Sequence, residues 1–137
     1  MTDTMLSTIP ASHRDLLEDG ARAFAFLATT MADGSPQVTP VWFDVAEGMI
    51  RVNTARGRTK DRNMRDRPRV ALAIADPKDP YRYLQVRGTV VAFTEERGRE
   101  HIDRLAKKYR GWDTYPVVPG EVRVIFTVRP DSATVMG

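Results

Sequence analysis

Two tight-turn dipeptides set the frame for the first half of the chain. Ala23 to Met31 is an apolar, β-compatible run, and Asp33-Gly34 follows it. Gln37 to Val45 reads as the returning strand, and Glu47-Gly48 makes the next turn. Met49 to Thr54 then alternates, with Ile50 and Val52 on one face and Arg51 and Asn53 on the other. Turns this short leave no room for a helical crossover, so successive strands pair antiparallel. The punctuation continues downstream. Val70 to Ala75 is a small apolar strand, and Tyr81 to Phe93 is a long one interrupted near Gly88. Val122, Val124, Phe126 and Val128 alternate with Arg123, Ile125, Thr127 and Arg129 in the last. Six short strands in 137 residues predict a mainly β, mostly antiparallel barrel with Val, Ile, Phe and Ala inside. Pro40, which lacks an N–H, predicts an edge, bulge or kink in its strand.

Three helices complete the reading. Ser12 is the expected N-cap of a short one ending at Gly20. Thr59 is the expected cap of Lys60 to Asp66, which Pro68 ends by restricting Arg67. Thr94-Glu95-Glu96 opens the longest, where Ile102, Leu105, Ala106 and Tyr109 form an apolar stripe and Gly111 is the stop. Length allows one core, so residues 1–137 form a single domain.

Several chemistries are excluded. With no cysteine there is no disulfide framework, thiolate zinc site or cysteine nucleophile. His13 and His101 lack metal-ligand spacing and read as surface residues on helices. The chain contains no Gly-x-Ser-x-Gly elbow, no Gly-x-Gly-x-x-Gly and no Walker loop. No apolar run is long enough for a membrane helix, and Met1 to Thr4 lack the start of a signal peptide. A soluble, cytoplasmic protein is expected. No catalytic residue and no metal ligand is assigned. Such a chain suits a binding module, or an enzyme whose cofactor supplies the reactivity.

Charge singles out one segment. From Arg51 to Arg69 there are eight basic residues against two acids, a local +6. The remainder carries 13 basic and 16 acidic residues, which restores the overall +3. Aromatics are not interleaved with the basic run, which argues against nucleic acid as the partner. Within it, a strand ends in Asn53 and Thr54, a loop holds Arg56-Gly57-Arg58, and Thr59 and Lys60 open a helix. Backbone donors at the helix start and two cationic side chains there suit a phosphate. The bland reading is a solvated, arginine-rich surface.

Three stretches together resemble one family. They are the hairpin Leu27 to Phe43, the segment Lys60-Asp61-Arg62-Asn63-Met64-Arg65-Asp66-Arg67-Pro68-Arg69-Val70, and the strand Tyr81 to Val90. Over about Phe26 to Val135 the chain resembles the split-barrel proteins related to pyridoxamine 5′-phosphate oxidase. It looks most like the branch that uses the deazaflavin coenzyme F420. The resemblance implies a six-stranded antiparallel split barrel. It also implies a homodimer with one cofactor in each of two interface grooves. Arg58 and Lys60 match the positions that hold the cofactor phosphate. Asn53 and Thr54 lie beside the phosphate and ribityl chain, and Asn63 is a supporting polar position. The strand containing Gln37, Val38, Pro40 and Val41 runs along the ring system. Tyr81 falls where an aromatic reaches the ring from the other subunit. Arg56, Arg62 and Arg65 would attract the anionic tail of F420.

The implied activity is hydride transfer between F420 and a small organic acceptor. The alternatives on the same fold are an FMN-dependent oxidase or reductase, and a non-catalytic cofactor binder. Asn53 and Thr54 equally suit strand termination, Asn63 a solvent-facing helix position, and Tyr81 the packing of a sheet face. Trp42 and Trp112 suit core or interface anchors first, and pocket walls second.

Overall fold

The structure is a computed structural model that describes residues 7–137. The reading of Met1 to Thr4 therefore lies outside the described residues. Two 3-10 turns, Ala11–Leu17 and Asp19–Ala21, lead into the sheet. There follow β1 (Ala25–Thr30), β2 (Pro36–Val41), β3 (Phe43–Ala46) and β4 (Met49–Ala55). Helix α1 (Thr59–Asp66), β5 (Arg69–Asp76), β6 (Asp79–Thr94), α2 (Gly98–Arg110) and β7 (Arg123–Met136) complete the chain.

The strands form one sheet in the order β2-β1-β5-β6-β7-β4-β3, with every neighbouring pair antiparallel. Its two edges, β2 and β3, are separated in sequence only by Trp42. A seven-stranded sheet whose edges are joined by one residue must curl until those edges meet. The result is a barrel closed at the Val41–Trp42–Phe43 corner and split beyond it.

That corner also corrects the expected strand count. Gln37 to Val45 is not one strand but two, so there are seven rather than six. Pro40 lies on edge strand β2, where its missing N–H costs no ladder bond. Strand β6 is slightly longer than expected at both ends, and the expected interruption near Gly88 is a shift in its register with β7 between Arg87 and Gly88. A Cβ on Gly88 would come within 2.8 Å of the Arg129 carbonyl oxygen, so glycine lets β7 pass closely there.

Alternation puts Leu27, Phe43, Ile50, Leu72, Ile74, Leu84 and Phe126 inside the barrel, each fully buried. Burying a side chain of this size contributes about 1.5–3 kcal/mol. Met64 from α1 and Leu16 from the first turn join the same core.

The helices differ from expectation at their starts. Pro10, not Ser12, precedes the first 3-10 turn, and Ser12 Oγ instead pairs with His13 Nδ1 at 2.8 Å. Arg58, not Thr59, is the N-cap residue of α1, and its side chain makes no cap bond. Asp61 does that work, accepting the Gly57 N–H on Oδ2 at 2.9 Å and Arg65 Nε on Oδ1 at 2.8 Å. Strand β6 extends through Thr94, so α2 begins only at Gly98. The α2 stripe of Ile102, Leu105 and Ala106 is buried as expected. Gly111 ends the helix in the left-handed region at φ 71.

Both histidines depart from the surface reading. His13 is buried and its Nε2 lies 2.9 Å from the Met136 carbonyl oxygen. His101 is buried between α2 and β3. Both sit on helical elements whose polar appearance in sequence hides the side that faces the sheet.

Candidate functional site

A groove of about 420 Å³ opens at the Trp42 corner of the barrel. Phe24, Pro40, Val41 and Trp42 form its apolar side. Asn53 and Thr54 from the end of β4, Arg58 and Lys60 from the start of α1, and Arg123 from the start of β7 form its polar side. Ile102 and Tyr115 complete the lining. Register explains the polar cluster. Ala55 pairs with Arg123 and Thr54 with Val124, so the last residues of β4 and the first of β7 share one barrel end. Helix α1 starts four residues after β4 ends and adds its own cations there.

The polar side is strongly cationic. Lys60 is half-buried, and among the described residues no hydrogen-bond acceptor or carboxylate contacts its ammonium. Desolvation, then the nearby charges of Arg58 and Arg123, hold Lys60 below the ordinary lysine range. Among the described residues Arg58 has only Glu121 as an ion-pair partner, at 3.8 Å. Arg123 is buried and bonds Glu121 at 3.1 Å and Asn53 Oδ1 at 2.8 Å. Two of the three cations thus share one carboxylate, and the third has none.

Thr54 adds a second unmet need. Its hydroxyl is buried in the groove lining without a hydrogen-bond partner. A buried hydroxyl left unpaired costs about 1–3 kcal/mol, so an acceptor in the groove would relieve it. The opposite side is a run of stacked rings. Phe24 stacks on Tyr109 at 5.3 Å, Tyr109 on Trp42 at 5.4 Å, and Tyr115 meets Trp42 edge-on at 5.8 Å. A flat apolar wall facing three cations and a free hydroxyl suits a planar ligand with an anionic arm.

Six of the ten sequence-derived positions line this groove: Pro40, Val41, Asn53, Thr54, Arg58 and Lys60. The other four stand elsewhere. Gln37 accepts a 2.6 Å bond from Thr29, whose hydroxyl in turn accepts from Asn63 at 2.9 Å. Asn63 Oδ1 also accepts from Arg67 at 3.1 Å, and Arg67 Nε donates to the Thr30 carbonyl at 2.7 Å. Gln37 and Asn63 therefore tie α1 to the first hairpin, and Asn63 is buried rather than solvent-facing. Val38 and Tyr81 are exposed, at 62% and 82%.

The wider basic run is largely engaged. Arg56 pairs with Glu95 at 2.8 Å, Arg62 bonds the Gly57 carbonyl, and Arg65 is held by Asp61 over the Phe93 ring. Phe24, Ile102, Tyr115 and Arg123 were not singled out from sequence as groove residues, whereas Trp42, which suited a pocket wall second to an anchor, does line it. Only Arg123 carried a signal, as a cation on the polar side of an otherwise apolar strand.

A curled antiparallel sheet, closed at one corner, split beyond it and carrying a cationic groove at that corner, defines a split-barrel protein. The pyridoxamine 5′-phosphate oxidase family model matches residues 9–135. The chain belongs to that family, and its fold is that of a flavin- or deazaflavin-related oxidoreductase. It is similar to a solved structure described as an F420 reductase, with 34% identity over 92% of this chain and 98% of that one, at a TM-score of 0.82. A conserved hypothetical protein from Mycobacterium tuberculosis shares the fold at 21% identity, covering 93% of this chain and 84% of that one, TM-score 0.69. General Stress Protein 26 from Bacillus anthracis does so at 16% identity, covering 90% and 94%, TM-score 0.64. No curated protein matches the sequence. Among the described residues no helix is long and apolar enough to cross a membrane, and no cluster of three or more potential metal ligands occurs.

Proposed function

We propose that this protein is an oxidoreductase that binds coenzyme F420 in the groove and transfers a hydride between it and a small organic acceptor. The observation that carries the reading is Lys60: a half-buried ammonium without a counter-ion, flanked by Arg58 and Arg123 and facing an aromatic wall. A charged group so placed is stabilised by a bound anion. The choice of a deazaflavin is supported by the 34% identity to an F420 reductase.

The residues fit such a group. Lys60, Arg58 and Arg123 would hold its phosphate, Thr54 would donate its free hydroxyl, and Pro40, Val41 and Trp42 would pack the ring. When bound in reduced form the cofactor would supply the hydride, the accompanying proton being available from solvent. The chain's own contribution is to fix depth and orientation in the groove and to exclude water with its aromatic wall.

The proposed assembly is a homodimer. Phe26 and Pro40 are cross-strand neighbours, as are Ala28 and Val38. Phe26, Val38 and Pro40 are exposed, and Pro40 also lines the groove. A second copy on this apolar face would border the groove and could bring Tyr81 to it.

The reading is tested by mixing reduced F420 with the protein and a panel of quinones, unsaturated lactones and nitro compounds. Reoxidation faster than in free solution with at least one acceptor supports it. Tight binding without acceleration by any of them points instead to a carrier.

A further inference from the structure

Beneath the groove a row of buried polar groups has only one consistent arrangement of protons. Arg123 is a donor without an acceptor atom, and its Nε–H donates to Asn53 Oδ1 at 2.8 Å. The Asn53 amide therefore turns its Nδ2 the other way. There it donates to the Gly98 carbonyl at 3.0 Å and to His101 Nδ1 at 3.1 Å. His101 Nδ1 is then the acceptor, so the ring proton sits on Nε2 and donates to Asp44 Oδ1 at 3.0 Å. Flipping the amide would set its NH₂ against Arg123 and its oxygen against the Gly98 carbonyl. A protonated imidazole carries two donors and would aim Nδ1–H at the Asn53 NH₂. No orientation of Asn53 satisfies Arg123, Gly98 and an imidazolium together.

Both Asn53 and Arg123 line the groove, whereas His101 stands behind them. We propose that neutral His101 is a positioning residue: through Asn53 it holds Arg123 toward the anion site, and its protonation releases that hold and weakens binding of the anionic cofactor. This rests on the cofactor reading above. Once free of Asn53, Arg123 keeps its 3.1 Å bond to Glu121, which draws its charge away from a ligand.

Charged groups of both signs surround His101. From β3, Asp44 accepts the Nε2–H bond. From β4, Arg51 holds Asp44 through bonds of 2.9 and 2.7 Å. From α2, Arg104 lies 3.7 Å from the same carboxylate, and Glu100 lines the adjoining cavity. Glu96 and Arg97, just before α2, line it as well, beside Thr94 of β6 and Ile125 of β7. The hydrogen-bond row decides which form of the ring fits.

The test uses the full chain with F420 as probe and follows affinity by fluorescence between about pH 5 and 8. Wild-type affinity is expected to fall about tenfold on acidification, the equivalent of one lost charged hydrogen bond. His101→Gln keeps an acceptor for Asn53 but takes up no proton, so its affinity should lack that acid step. A variant that follows the wild-type profile overturns the proposal.

Nitrogen NMR of the wild type, with His13 assigned separately, is independent of cofactor. The Nε2–H tautomer at neutral pH, with an Arg123 Nε–H signal that disappears as His101 protonates, supports the proposal. A ring protonated on Nδ1 at neutral pH overturns it, even if F420 fails to bind at all. Failure to bind at every pH, with the expected tautomer present, would instead refute the cofactor reading.

Discussion

Arg58 and Lys60 stand on the same lip of the groove, and the guanidinium helps hold the lysine below its ordinary range, after burial itself. Two like charges, one exposed and one half-buried, stand together because α1 begins there. Each is stabilised when an anion arrives. Replacing both with alanine should weaken F420 binding by about 2–4 kcal/mol, the range for two charge-assisted bonds. Fluorescence titration checks this, and unchanged affinity removes both from the site.

Lys60 also sets an alkaline limit. Its pKa in the free protein is depressed, so the charged form costs stability in full at pH values below that pKa. The cost begins to shrink as pH rises through it and is gone above the ordinary lysine value. A bound anion reverses the shift, so affinity should fall as pH climbs past the free-protein value. Lys60→Arg should bind without that alkaline decline. Lys60→Met should raise the melting temperature of the unliganded protein, by up to about 1 kcal/mol in stability, while losing affinity. Calorimetry of the two variants separates these effects.

Thr54→Val removes a buried hydroxyl that has no partner. Stability without ligand should change little or increase, because no bond is lost. Affinity should fall by about 1 kcal/mol if the hydroxyl bonds the cofactor. A variant that loses stability and keeps affinity would show that the hydroxyl serves the fold.

Asp44 anchors the buried row. Burial opposes its charge, yet hydrogen bonds from His101 and Arg51 hold its carboxyl well below the usual carboxylate range. Its stabilising effect is therefore complete above the ordinary carboxylate pKa. It is lost only in strong acid, as pH falls through the depressed value. Asp44→Asn should cost about 3–5 kcal/mol at neutral pH, the range for removing one partner of a buried pair. The difference from wild type should shrink in acid denaturation curves.

Gly98→Ala probes how α2 is seated. A Cβ there would lie 2.1 Å from the Arg123 carbonyl oxygen, a backbone atom that cannot swing aside. The helix must move off β7, carrying His101 from Asn53. Loss of stability together with weaker F420 binding is expected, read by thermal melts and titration.

Much of this molecule was legible in its sequence because local rules and tertiary demands agree. Asp33-Gly34 and Glu47-Gly48 are turns, Gly111 stops α2, and the strand-end Asn53-Thr54 lies beside the helix-start Arg58 and Lys60 as their spacing implied. Trp42 was not legible as a corner, because a single residue joining two edge strands carries no turn signature. His101 read as surface because a helix with one buried polar group looks, in sequence, like any amphipathic helix. Its partners come from β3 and β4, whose side chains reach it only once the barrel has closed. Arg56, Arg62 and Arg65 looked free because Glu95, the Gly57 carbonyl and Asp61 engage them only in the folded chain.

A side-by-side titration of the wild-type protein with F420 and with FMN tests the groove assignment most directly. F420 should bind at least about tenfold more tightly than FMN, a difference of roughly 1.4 kcal/mol, and the Arg58/Lys60 double alanine variant should lose most of that binding. Tighter binding of FMN, or F420 affinity indifferent to both substitutions, would contradict it.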